Sequence, residues 1–478
     1  MAGIGFRLKK ALEADTYTGV LKGYLFGSVI SSGPWIFTIV CLAVIQLFAS
    51  RFLTIEEADI FTTIITYTFA FSLLFFGCMD MVITRYLADK LFLKESRVIF
   101  TSFLSIWGVV LFFQTAVGVI LYSFCDFPLS FRFASLILYI AMSSIWLVMI
   151  FLSATKNYVF IAQAFLVGAI ISSLCAIEFS RNYGISGAMA GMALGQFTIL
   201  ALLIWRIYKE FGFYPFFSNE IFSYYQKFSS LMWIGFLYNG ALWGDKILFW
   251  FLGPSLRLSG IFYNDELYGA ALYLSYLTMI PALTIFLVKI ETSFYIAFRA
   301  YYQAVQNKKG FQELLAIKEE LVGSLRKSAQ PLIVFQSGLS FCCIVFAPHI
   351  LNFFKLRQEL LAIFQLGILG VFLQVMVVMM GIIILYFNGI KKAIILNFVF
   401  FSTNVVLTLI TLKLGFPFYG YGFLISSLIS FCLAYILLNK QIEDFDYETF
   451  MYQPIVSPNI YKIQALEPLE RAQLRENS

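Results

Sequence analysis

The chain has 478 residues, of which 60% are apolar and 13% charged, with 33 Lys and Arg against 27 Asp and Glu for a net charge of +6. A soluble domain carries roughly 45–50% apolar and about 25% charged residues, so a chain with a mean hydropathy of +0.85 cannot hide its apolar surface in an aqueous core and reads as a polytopic membrane protein. The single histidine, His349, leaves no material for a His-cluster metal site, and no Gly-Lys pair occurs to build a P-loop.

In chain order, residues 1–23 are charged throughout, with Ile4, Leu8, Ala11 and Leu12 on one face of a possible helix. They predict an interfacial segment rather than a cleavable signal. Apolar runs follow at about 24–49, 60–84, 98–122, 133–155, 158–179 and 185–208, then at about 228–252, 267–290, 328–354, 360–386, 393–413 and 417–439. Loop signals separate them, among them Cys125-Asp126-Phe127-Pro128, Gly253-Pro254 and Asn388-Gly389. The expected fold class is an all-α polytopic membrane protein with 12 transmembrane helices.

Charge sets the expected orientation. With the N-terminus inside, 25 of the 33 Lys and Arg fall in inner segments and 7 in outer ones, leaving Lys246 within a span. By the positive-inside rule both termini are expected in the cytoplasm. The same asymmetry accounts for the net charge without a nucleic-acid partner.

A shift of 235 residues places Lys156 on Lys391 and Gly187 on Gly422, while the first two spans match the seventh and eighth at a shift of about 205. This predicts two pseudo-symmetric six-helix bundles, 24–227 and 228–440, with an insertion at 291–327 and a cytoplasmic tail at 441–478. The insertion carries Phe311, Leu314, Leu315, Leu321, Val322 and Leu325 on one face. It reads either as a helix on the membrane surface or as a docking site for a cytosolic partner.

Charges within spans are costly and therefore informative. Asp245 and Lys246 are adjacent, so their Cβ directions differ by about 100° and they are not expected to pair on one helical face. At least one is expected to face a central cleft. Asp80 and Arg85 near the inner end of the second span, and Glu291 and Arg299 after the eighth, are inner-face charge candidates, with Arg85 and Asp89 spaced for an i,i+4 salt bridge. Gly33 and Pro34, in the first span, predict a kink or hinge. Tyr24, Trp35, Tyr238, Trp243 and Tyr273 offer the flat faces that would suit a sugar cargo.

Other chemistry is poorly supported. Neither Gly3-Ile4-Gly5 nor Gly420-Tyr421-Gly422 continues into a dinucleotide fingerprint, and the seven cysteines form no CxxC. No cofactor, metal site or catalytic residue is expected. Asp444-Phe445-Asp446 matches the DxD of many glycosyltransferases, but no nucleotide-binding fold surrounds it and it reads as coincidence.

Several blocks resemble the Pel exopolysaccharide transporter family, PelG. They are Met1-Ala-Gly-Ile-Gly-Phe6, Ile30-Ser-Ser-Gly-Pro-Trp35, Thr84-Arg-Tyr-Leu-Ala-Asp89, Asp245-Lys246 with Phe249-Trp250, and Glu291-Thr-Ser-Phe-Tyr295 leading into Tyr301-Tyr302. The resemblance runs from residue 1 to about 440. It implies the fold of the multidrug/oligosaccharidyl-lipid/polysaccharide (MOP) flippase superfamily, with a cavity lined by spans 1, 2, 7 and 8. It also implies export of an amino-sugar polysaccharide rich in N-acetylgalactosamine across the bacterial cytoplasmic membrane, for a biofilm matrix. The implied partners are a cytosolic UDP-sugar glycosyltransferase and other membrane subunits of a Pel-type synthase complex, one of them sensing cyclic di-GMP. A flippase for lipid-linked oligosaccharide, a membrane scaffold subunit and a membrane-embedded glycosyltransferase are the competing readings. The short outer loops argue against the last.

Overall fold

The computed structural model describes residues 33, 36–48, 51–153, 158–212, 220–265, 267–289 and 293–451. The expected interfacial segment 1–23, Lys156 and the tail beyond Met451 lie outside the described residues. Where they are described, the twelve predicted apolar runs fall mainly on helix, with turns at Thr278 and Phe346 dividing two of them.

The first half comprises α1 (Ile36–Phe48), α2 (Ile55–Phe92), α3 (Arg97–Ser123), α4 (Leu129–Ser153) and α5 (Tyr158–Phe211). A short amphipathic linker helix, α6 (Glu220–Lys227), leads to the second half. That half comprises α7 (Ser229–Leu252), α8 (Tyr268–Leu277), α9 (Met279–Lys289), α10 (Tyr295–Gln306), α11 (Phe311–Val345), α12 (Ala347–Phe353), α13 (Leu361–Tyr386), α14 (Ile390–Leu414) and α15 (Tyr421–Met451). Among the described residues nine helical stretches are long and apolar enough to cross a membrane. The helix α7 is not one of them, since it carries Asn239, Asp245 and Lys246.

Local chemistry explains the boundaries. Thr54 and Glu57 form a reciprocal capping box at the start of α2, the Glu57 carboxylate accepting from the Thr54 N–H at 2.9 Å and the Thr54 hydroxyl from the Glu57 N–H at 3.2 Å. Gly184 breaks α5 at φ 56°, in the left-handed region that favours glycine. The two halves of α5 then pack on one another through Gly187, Gly191 and Gly195, spaced four apart. A Cβ on Gly187 would lie 2.1 Å from the Phe179 carbonyl oxygen, and one on Gly191 would lie 2.2 Å from the Ala176 nitrogen. Small residues at this spacing let membrane helices approach closely. Gly422 plays the matching part in the second half, where a Cβ would sit 2.9 Å from the Thr408 nitrogen of α14.

Each half has its own core. One cluster is built from α1 to α6 and the other from α7 to α15, with a deliberate exchange. Val82 of α2 belongs to the second core, while Trp250 of α7 and Phe262 belong to the first. The two bundles thus interlock along α2 and α7, which pack against each other.

Three features differ from the sequence expectation. Residues Leu256–Ser259 (β1) and Phe262–Asn264 (β2) form an unexpected antiparallel hairpin between α7 and α8, in a fold that is otherwise helical. The insertion is divided: α10 is a helix of its own, whereas the amphipathic part from Phe311 does not end before the ninth span but runs unbroken through Pro331 into it as α11. Its buried stripe is narrower than the expected face: Leu314, Leu321 and Leu325 are buried, whereas Phe311 and Leu315 are exposed. Finally, α15 passes the expected boundary at 440 and stays helical to Met451. The reason is an ion-pair clamp: Asp446 accepts from Lys318 at 2.6 Å and from the Tyr301 hydroxyl at 2.8 Å, and Asp444 accepts from Lys392 at 3.3 Å. The DxD of the sequence is therefore a structural tie between α10, α11, α14 and α15.

Candidate functional site

The helices α2 and α7 form the spine of the seam between the two bundles. Near the end marked by the linker helix α6, Gly77 faces Gly235. A Cβ on Gly235 would lie 2.0 Å from the Gly77 carbonyl oxygen, and one on Gly77 would lie 2.6 Å from both the Gly235 oxygen and the Asn239 amide nitrogen. The backbones touch here because neither residue has a side chain. Near the other end, Tyr67 stacks on Trp250 with ring centroids 4.2 Å apart at 17°.

Asp245 and Lys246 lie between these points on α7, and the structure corrects the expectation that they do not pair. The Lys246 ammonium donates to both Asp245 carboxylate oxygens, at 3.0 and 3.2 Å, and to the Leu242 carbonyl at 2.8 Å. Adjacent Cβ directions diverge, but the four-carbon lysine stem curls back over the helix and closes the gap. Asp245 also accepts from the Tyr268 hydroxyl at 2.8 Å. The Lys246 ammonium sits 4.9 Å from the Tyr276 ring centroid and 5.8 Å from that of Phe423, two cation–π contacts to neighbouring rings. Both residues are buried, with α8 and α15 around them. The pair therefore lies in the second bundle and not on an open cleft wall. Gln374 of α13 is fully buried nearby, against the Tyr276 hydroxyl.

The remaining candidates separate. Asp80 is half-buried on α2 with one long contact, from the Thr84 hydroxyl at 3.5 Å, and lies within electrostatic reach of Tyr238 on α7. Arg85 pairs with Asp89 at 3.3 Å, as the i,i+4 spacing predicts, and leans over the Phe228 ring at 5.6 Å. Asp89 also accepts from the Tyr224 hydroxyl at 3.3 Å, and Lys90 pairs with Glu220 at 2.7 Å, so α6 is stitched to α2. Trp243 is half-buried against the first core, 6.2 Å from Trp250. Tyr273 is 47% exposed on α8, and Arg299 is exposed on α10. Gly33 is buried and helical, its Cβ position 3.8 Å from that of Ala162. Tyr24, Pro34, Trp35 and Glu291 lie outside the described residues. The structure thus brings Asp245 and Lys246 together in one bundle, and Asp80 with Tyr238 at the seam.

Sequence reasoning missed Tyr268, Tyr276 and Tyr67, all of which partner the seam or the buried pair. Their signal was available only as hydroxyl-bearing rings within otherwise apolar runs. It also missed Asp265, which precedes α8 and accepts from the backbone N–H groups of Leu267, Tyr268 and Gly269 at 3.0–3.2 Å. Burial outweighs these bonds and raises its carboxyl above the ordinary value, with the Asp245 charge adding to the rise.

Solved structures of known transporters share this architecture. A mutant of a MATE transporter superposes with a TM-score of 0.64 at 12% identity, covering 94% of this chain and 100% of that chain. An outward-facing multidrug resistance MATE family transporter of the MOP superfamily gives 0.60 at 13% identity over 94% and 100%. A MOP superfamily transporter from Pyrococcus furiosus gives 0.60 at 12% identity over 93% and 99%. At such identities the likeness establishes the fold: a multi-pass, two-bundle membrane transporter architecture. No curated protein matches the chain. The family model of PelG, described as "Putative exopolysaccharide Exporter (EPS-E)", matches residues 1–450. Since that match spans both bundles and the helix that closes the second, the chain belongs to the PelG family.

Proposed function

We propose that the chain moves a Pel-type amino-sugar exopolysaccharide from the cytoplasm to the far side of the bacterial inner membrane, as a transporter without catalysis of its own. Both termini would be cytoplasmic, where 25 of the 33 basic residues fall. A UDP-sugar glycosyltransferase and further membrane subunits of a synthase complex would deliver the growing polymer. The observation that carries this reading is the family match across residues 1–450, on a fold whose two separately cored bundles meet along the crossing of α2 and α7. Bundles joined in this way can rock about the Gly77–Gly235 contact, and each core can move as a unit.

The buried ion pair bears on the energy source. Asp245 is already balanced by Lys246, so it is a poor exchangeable ion site, and growth of the polymer is the better-supported drive. The variant Asp245→Asn/Lys246→Met removes both charges together. It is expected to retain export, whereas a coupling carboxylate at Asp245 would make it inactive. The likeness to multidrug MATE transporters supports a second reading, alternating access for a discrete amphipathic cargo such as a lipid-linked oligosaccharide.

The deciding experiment uses inside-out vesicles holding this chain, the synthase and its membrane subunits, supplied with UDP-sugar. Export predicts that new polymer becomes protected from added glycosidase only when this chain is present. Polymer that forms but stays digestible with and without the chain would exclude polymer export and leave the lipid-linked cargo or a scaffold role.

A further inference from the structure

We infer that the hairpin at residues 256–264 is a detachable latch that holds the two bundles shut at its end of the seam. The inference rests on the transport reading for its purpose, but not for its geometry. The hairpin grows out of the second bundle, between α7 and α8, yet its tip seats in the first. Phe262 is fully buried in the first core, with its ring 4.9 Å from Tyr67 and stacked at 12° on Tyr122. The Tyr67 hydroxyl accepts from the Tyr263 N–H at 3.1 Å and reaches the Tyr263 carbonyl at 3.4 Å. The Ser259 hydroxyl accepts from the Asp126 N–H at 2.9 Å, in the loop between α3 and α4.

The tip is shaped for this seat. Gly260 has φ +54°, and a Cβ there would fall 1.5 Å from the Phe124 carbonyl oxygen, so only glycine permits the approach. The strand register is irregular between Arg257 and Ser259, the kind of bulge that re-aims a side chain. A two-stranded hairpin is marginal by itself in water. This one is held by what it docks into, and by its roots, where Asp265 caps α8 and the Ser255 hydroxyl donates to the Trp250 carbonyl.

Any motion that parts the bundles at this end must draw Phe262 out of the first core and break the Tyr67 and Ser259 contacts together. No covalent bond and no ion pair to the first bundle has to be broken with them among the described residues. The contacts can therefore be released and remade. At the opposite end α6 is tied to α2 by Lys90–Glu220 and Tyr224–Asp89, and the close Gly77–Gly235 contact beside it serves as the pivot.

Two cysteines test this. In a Cys125→Ser background, Ser259→Cys and Asp126→Cys replace a contact within disulfide reach. Oxidation should stop polymer protection in the vesicle assay, and a thiol reductant should restore it. A cross-linked protein that exports at the reduced rate would overturn the latch. A second measurement needs no transport: reaction of Ser259→Cys alone with an impermeant maleimide. Adding Phe262→Ala should raise the labelling rate by at least about tenfold, as local opening becomes cheaper. Equal labelling in the two proteins would overturn the latch even if export is normal. If the parent protein exports nothing, the export reading falls and the labelling alone decides the latch.

Discussion

Lys246 shows what a single residue does in this fold. Its ammonium neutralises Asp245, satisfies the Leu242 carbonyl and contacts two neighbouring aromatic rings. Removing one partner of a buried pair leaves the other charge uncompensated, at a cost of about 3–5 kcal/mol. Lys246→Met alone should therefore lower the thermal midpoint of the purified protein sharply, and adding Asp245→Asn should recover most of the loss. Asp265 makes a different prediction. Its carboxyl is raised in the folded protein, so the native state takes up a proton at a pH where the unfolded chain does not. Stability from this group is fullest at low pH and declines as pH rises above the ordinary carboxylate value of about 3.9. Asp265→Asn should flatten that decline in a thermal-midpoint series against pH. The residues Asp245 and Lys246 were conspicuous in the sequence because charge within a span is rare. Their pairing was not legible, since helical geometry fixes the Cβ directions and not the path of a long flexible stem.

At the scale of elements, the crossing of α2 and α7 is set by two glycines. A methyl group on Gly235 would overlap the Gly77 carbonyl, so Gly235→Ala should push the helices apart and cost about 1–3 kcal/mol, typical of overpacking. The check is the thermal midpoint together with the vesicle assay. The tail of α15 gives the second prediction here. Its clamp to α10, α11 and α14 rests on Asp444 and Asp446. Asp444→Ala/Asp446→Ala should speed tryptic cleavage at Lys440 while leaving the membrane-embedded part intact. The apolar runs themselves were readable by length and hydropathy. The end of α15 was not, because Lys440 to Asp446 has the composition of a solvated tail and its ion pairs reach partners more than 50 residues away. The hairpin was hidden for a similar reason: four- and three-residue strands carry almost no periodicity, and what fixes them is a pocket in the other bundle.

For the molecule as a whole, the repeat was legible in a few positions that the structure explains. Gly187 and Gly422 correspond because each opens the last helix of its bundle against the helix before it. The interlocking of the cores was not legible, since hydropathy does not say which bundle a residue of α2 or α7 will enter. The unbroken length of α11 has a mechanical consequence. At 35 residues and 1.5 Å per residue it is about 52 Å long, well beyond a hydrocarbon core of about 30 Å. It is a lever arm with one part among the spans and the other bolted to α15 through Lys318. A tilt of about 10° about its midpoint would swing the projecting tip by about 4.5 Å. A rearrangement inside the second bundle would thus be felt as a displacement well outside it, and a push on the tip would be felt within.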